Sequence, residues 1–184
     1  ADIGSACDLL RSEGASAISL LGIRWGAVPA CDAASARDDV DSLFLVNPVD
    51  GWKERIMKAL RANVAGQYAI FKKAVMTREK IIEELLAGGD CVRSGYRMNN
   101  IDGYLFSKRF FEESGEAALP AFLPAHIKKA AVLSIPEREA EGGASEERLA
   151  EAWRAAGADC EFVPIEGDNA TRAAPDVMVV FGVP

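Results

Sequence analysis

The stretch Gly22-Ile-Arg-Trp-Gly26 joins an apolar run, Ala17-Ile-Ser-Leu-Leu21, to a segment rich in small residues that includes Ala27, Val28, Ala30, Cys31, Ala33, Ala34 and Ala36. That order reads as a strand, a tight turn and a helix suited to packing closely against a sheet, with Arg24 at the apex of the turn and at the helix N-terminus. A guanidinium in that place offers a fixed positive charge and a planar fork of donors, which suits holding a carboxylate or a phosphate. The equally weighted alternative is an ion pair with Glu137, Glu139 or Asp168 that merely closes the turn. Trp25 and Trp52 are candidates to line a pocket with Arg24, against a plainer role in packing. The single histidine, His126, precedes a strand and reads as structural or surface. Cys31 would be a nucleophile only beside a base, and no histidine adjoins it. Gly14, Gly22 and Gly26 do not make G-x-G-x-x-G, and no G-K-[ST] follows, so nucleotide binding has little support.

The elements that must position these residues follow a β-α-β rhythm. Residues 3 to 13 place Ile3, Ala6, Leu9 and Leu10 on one helical face, with Gly14 as the C-cap. Residues 17 to 21 are a buried strand, and 40 to 46 a second, stopped by Asn47-Pro48. From Trp52 the pattern becomes helical, over 52 to 73 and again over 77 to 86 with Thr77 as N-cap. After Pro124 come a strand at 130 to 135, a helix at 145 to 156 ended by Gly157, a strand at 160 to 165, and an edge-like strand at 176 to 182. The fold class expected is α/β: a three-layer, mostly parallel sheet with flanking helices and a helical cap inserted over residues 52–122 of a single domain spanning 1–184.

A chain of 184 residues, 49% hydrophobic and 27% charged, can bury one proper core. Its net charge of −7 argues against a nucleic-acid surface. Lys53, Arg55, Lys58 and Arg61, the nearest approach to a basic cluster, read as the wet side of an amphipathic helix beside Trp52, Ile56 and Leu60. No apolar run approaches the roughly 20 residues that span a bilayer, and the first residues lack a signal-peptide layout, so a cytoplasmic protein without membrane contact is expected. Cys7, Cys31, Cys91 and Cys160 are scattered, giving neither a zinc spacing nor a disulfide framework. No metal and no cofactor is implied.

The segment Ser19-Leu-Leu-Gly-Ile-Arg-Trp-Gly-Ala27, followed by Leu43-Phe-Leu-Val-Asn-Pro48, resembles the nucleophile-elbow region of α/β-hydrolases. There G-x-S-x-G makes a strained strand-to-helix turn; Gly22 and Gly26 match its glycines, and Arg24 stands where the serine belongs. With Gly103-Tyr104-Leu105 in the helical insert, the chain is most similar to serine-aminopeptidase-like hydrolases associated with exosortase systems. The resemblance implies a partial α/β-hydrolase fold lacking its front strands, with an unprotected sheet edge. It also implies an acid after residue 135, for which Glu137 or Glu139 would stand in, and a histidine after residue 165, where Glu166-Gly-Asp-Asn-Ala170 offers none. The catalytic residues are therefore unknown. Three functions stay open: a hydrolase of a small ester, thioester or amide with a degenerate triad; a pseudoenzyme binding an acidic small molecule or partner protein through an Arg24, Trp25 and Trp52 pocket; and a half-domain completing its sheet with a partner chain or a second copy.

Overall fold

A computed structural model describes residues 2–49, 51–101, 104–114, 118–135, 143–165 and 178–183, the last segment and Glu54 by backbone alone. In chain order the elements are α1 (Asp2–Ser12), β1 (Ala17–Ile23), a 3-10 turn (Arg24–Gly26), α2 (Ala27–Ala36), β2 (Ser42–Val46), α3 (Trp52–Phe71), α4 (Arg78–Leu86), β3 (Val92–Arg93), β4 (Tyr96–Arg97), β5 (Asn100–Ile101), β6 (Tyr104–Leu105), α5 (Lys108–Ser114), β7 (Lys129–Ser134), α6 (Ala144–Ala155), β8 (Cys160–Pro164) and β9 (Met178–Val183). They fall into two compact units, residues 1–50 with 119–184, and residues 51–118.

The first unit holds a five-stranded sheet in the order β8-β7-β2-β1-β9, in which β1, β2, β7 and β8 are parallel and β9 runs antiparallel to β1. The four parallel strands with flanking helices bear out the α/β expectation. The expected unprotected edge at β1 is corrected: Ala17 to Gly22 pair with Val183 to Met178, so β1 is an inner strand. Strand alternation sorts the side chains. Leu20, Leu43, Ala130 and Cys160 lie in one register row, and together with Ile18, Leu45 and Val132 they join one buried cluster. Helix residues of that same cluster are Cys7 of α1, Ala27, Ala30, Cys31 and Ala34 of α2, and Ala150 and Trp153 of α6. Small side chains let α2 approach the strands closely, while Trp153 fills the space under α6 and donates its indole N–H to the Pro120 carbonyl at 2.8 Å.

Strand order explains why these helices share a face. The steps β1 to β2 and β7 to β8 run in one direction, and right-handed crossovers then put α2 and α6 on the same side. The opposite row, Leu21, Phe44 and Ala131, followed by Ile23, Val46, Leu133 and Val163, is only half-buried. Among the described residues of this unit the second helical layer expected from the sequence is therefore not found.

At the amino ends of the strands an ion network ties α1 to the β2 approach. Arg37 binds Asp8 and Asp39 at 2.8 Å, Arg11 reaches Asp39 at 3.4 Å and Asp41 at 3.7 Å, and Lys128 pairs with Asp41. The Arg37 hydrogen bonds hold the Asp39 carboxyl down at about 2. Helices α1 and α6 stop at Gly14 and Gly157, whose φ values of 92° and 96° are left-handed, and the next amides, of Ala15 and Ala158, bond back to Leu10 and Trp153.

The second unit is mostly helical. In α3, Ile56 and Leu60 are buried while Lys53, Lys58 and Arg61 are exposed, as an amphipathic helix requires. Buried Gln67 shapes the turn after it, its Oε1 accepting the Val75 and Met76 amides at 2.9 Å. Thr77 caps α4 by accepting from the Lys80 amide at 3.3 Å. Two short hairpins, β3–β4 and β5–β6, precede α5. This compact unit spans residues 51–118, beside the insert expected over 52–122, and Leu119 packs against the core of the sheet unit. No described helix is long and apolar enough to cross a membrane.

Candidate functional site

The parallel strands end together. Ile23, Val46, Leu133 and Val163 form the last fully shared register row, and the chain turns just beyond it. In open α/β sheets ligands bind outside such carboxyl ends at a topological switch point. The one-directional order of the described parallel strands contains none, so the edge is marked here by its residues and not by the sheet topology. Arg24 follows that row directly, at φ 53°. Left-handed backbone costs an ordinary L-residue roughly 1–2 kcal/mol, so the conformation is imposed by its surroundings.

Those surroundings can be named. A Cβ on Gly22 would lie 2.7 Å from the Ala27 Cα, 2.8 Å from the Gly26 carbonyl oxygen and 3.0 Å from the Ala27 nitrogen. All three are backbone atoms, so only glycine lets the strand lie this close to the start of α2. Gly26 differs: it is buried at φ −67°, an ordinary helical angle. The Arg24 carbonyl accepts the Ala27 amide, closing the turn, and also the Val49 amide at 3.3 Å from beyond β2. The sequence reading of strand, tight turn and small-residue helix is thus what the chain forms, with the strain concentrated at Arg24. The guanidinium stands on a half-buried residue at the N-terminal end of a ten-residue helix, where backbone amides also favour negative charge.

The other residues singled out by sequence scatter. Trp25 sits next to Arg24 and is half-buried. Trp52 belongs to the second unit, where its ring lies 5.8 Å from that of Phe110. Glu137, Glu139 and Asp168 lie outside the described residues. His126 bonds through Nε2 to the Ala34 carbonyl oxygen at 3.0 Å. Ala34 is seven residues past the start of α2, about 10 Å along its axis, so the histidine serves the far end of that helix and not the elbow. Cys31 is buried, and burial with a contribution from Asp32 pushes its thiol up to about 12, which makes it an inert packing residue. Cys7, Cys91 and Cys160 are likewise buried and raised, Cys160 to about 11. No group of metal-binding side chains occurs among the described residues.

One residue was missed. Asn47 was read only as the stop of a strand, yet its Oδ1 accepts the Ile135 amide at 2.7 Å and its Nδ2 donates to the Ile135 carbonyl at 2.8 Å, bracing the exits of β2 and β7. Its φ of 43° is one that asparagine tolerates better than most residues, and Asn-Pro after an apolar run was the available signal. Chemically, the described part of this edge offers a rigid turn and a fixed cation, without a nucleophile paired to a base. No protein-family model and no curated protein matches the chain.

Proposed function

We propose that this chain is a relative of the α/β-hydrolases in which the elbow survives as a binding device: Arg24 holds the carboxylate or phosphate of a small acidic ligand, without a covalent step. In this reading residues 51–118 act as the helical cap, and a second helical layer covers the half-buried face that begins with Leu21 and Phe44. The resemblance to exosortase-associated hydrolases is what motivates the superfamily.

The observation that carries the proposal is the left-handed Arg24, beside a glycine that has no room for a Cβ. Arginine is a poor choice for a strained apex unless its side chain is used, since glycine would adopt the same angles freely. Guanidinium is protonated at every ordinary pH, so it cannot attack an acyl carbon, whereas a charge-assisted pair to an oxyanion contributes about 1.5–3 kcal/mol. The test is calorimetric titration with inorganic phosphate and with acetate, alongside turnover of p-nitrophenyl acetate. Wild type should bind an anion and leave the ester intact, and Arg24→Gln should weaken binding by about tenfold or more. Ester turnover by wild type, or anion binding indifferent to Arg24, overturns the proposal.

A further inference from the structure

We infer that Asn47 is a positioning residue for the elbow, acting on Arg24 through the backbone of the β2 exit. Strand β2 pairs with β7 up to Val46 and Leu133, and the Asn47 amide still donates to the Leu133 carbonyl at 2.9 Å. The backbone then leaves the ladder at φ 43°, and Pro48 has no amide to give. Ile135 would lose both backbone partners there. Instead the Asn47 carboxamide supplies them, one accepted bond of 2.7 Å and one donated bond of 2.8 Å, so a side chain stands in for a strand residue. The backbone it releases turns toward the neighbouring strand, and two residues later the Val49 amide reaches the Arg24 carbonyl at 3.3 Å.

A single carboxamide therefore links the exits of β7 and β2 to the apex of the turn after β1. The requirements on residue 47 are unusually narrow: a donor and an acceptor at fork spacing, and tolerance of a left-handed angle. Aspartate keeps the acceptor and the angle but would set a carboxylate oxygen against the Ile135 carbonyl. Glycine keeps the angle and loses the fork. Alanine, lacking the fork and disfavouring the angle, would confuse the two effects, so Asn47→Gly is the informative change.

The link from Asn47 to a ligand rests on the anion-binding reading of Arg24, and the experiment separates the two. Amide hydrogen exchange at Val49 is measured in wild type and Asn47→Gly, together with calorimetric titration by inorganic phosphate and the same titration in an Arg24→Gln background. The expected result is exchange at Val49 faster by about tenfold, phosphate affinity weaker by about tenfold, and no further loss when Asn47→Gly is added to Arg24→Gln, because both changes act on one group. A side chain that merely stabilises the sheet would lower the melting temperature while leaving the Val49 amide or the phosphate affinity unchanged, and either result overturns the inference. If wild type binds no phosphate, the anion-binding reading fails by itself. The Val49 amide then decides: faster exchange supports positioning of the elbow by Asn47, and unchanged exchange overturns it. Asn47→Asp should give smaller shifts of the same sign and replaces the glycine variant should that fail to fold.

Discussion

Replacing Gly22 by alanine tests the elbow with one methyl group. The added Cβ would stand 2.7 and 2.8 Å from an α-carbon and a carbonyl oxygen, where ordinary contact begins near 3.4 Å. Relief therefore requires β1 and the start of α2 to separate by about 0.7 Å, in a core whose other contacts are close-packed. No flexible side chain can yield instead, because every atom met is backbone. Overpacking of this kind costs about 3 kcal/mol, the upper part of its usual range. With a urea slope of ~2 kcal/mol per molar, the unfolding midpoint should fall by about 1.5 M. The assay is urea unfolding followed by Trp153 fluorescence in a background with Trp25 and Trp52 changed to phenylalanine, since buried Trp153 reports on the sheet unit. The control is Gly66→Ala within α3 of the second unit, read by circular dichroism, where a Cβ meets nothing within 4 Å and helix propensity should stabilise by about 0.5–1 kcal/mol. A Gly22→Ala midpoint within about 0.3 M of wild type would refute the close strand-to-helix approach, and with it the strained apex at Arg24.

Arg24→Gly should abolish anion binding while freeing the turn of the backbone cost of φ 53°, as calorimetric titration would show; phosphate affinity kept by the glycine variant would refute the role of the guanidinium. The Asp39 carboxyl is depressed to about 2, so its contribution is fully present above the ordinary carboxylate value of 3.8 and disappears as pH falls toward 2. Asp39→Asn should therefore melt lower than wild type at pH 6, with the gap shrinking as pH falls through about 4 and closing only below the depressed value of about 2; a constant gap would exclude that linkage. All four thiols are buried and pushed upward, so iodoacetamide at pH 8 should label the native protein only at the rate of its opening, and fast labelling of Cys31 would contradict its packing role.

Where local chemistry and spacing decide the structure, the sequence was legible. Apolar runs bounded by glycine or Asn-Pro became β1 and β2, small residues became the helix packed against β1, and Gly14, Thr77 and Gly157 ended or began helices where their backbone and side-chain properties require. The strand at 40–46 begins later, at Ser42, although the Asp41 amide and carbonyl already bond to Ile18 and Lys128. What was illegible depends on contacts between distant residues. Nothing in the pattern of residues 178–183 says that they run antiparallel beside β1, because an apolar run is compatible with either direction. That the described helices of the sheet unit pack on one face follows from strand order, which local periodicity does not encode. Asn47 was seen as a terminator because its partner, Ile135, is far along the chain. The candidate site was half legible: the turn at Arg24 was located from its glycines, but the bracing that orients it was not.

The pairing of β9 with β1 also bears on how the chain is made. Residues 17–22 leave the ribosome before their partners, residues 178–183, so one side of β1 cannot be satisfied until residues 178–183 have emerged. Closing so long a loop adds little to the equilibrium cost, because that cost grows only with the logarithm of length, but it delays the event. Throughout that wait, β1 presents a free row of amides and carbonyls flanked by Ile18, Leu20 and Leu21, which another nascent copy could add to. A stall in translation after β8 would therefore prolong the interval in which that row of β1 stays open.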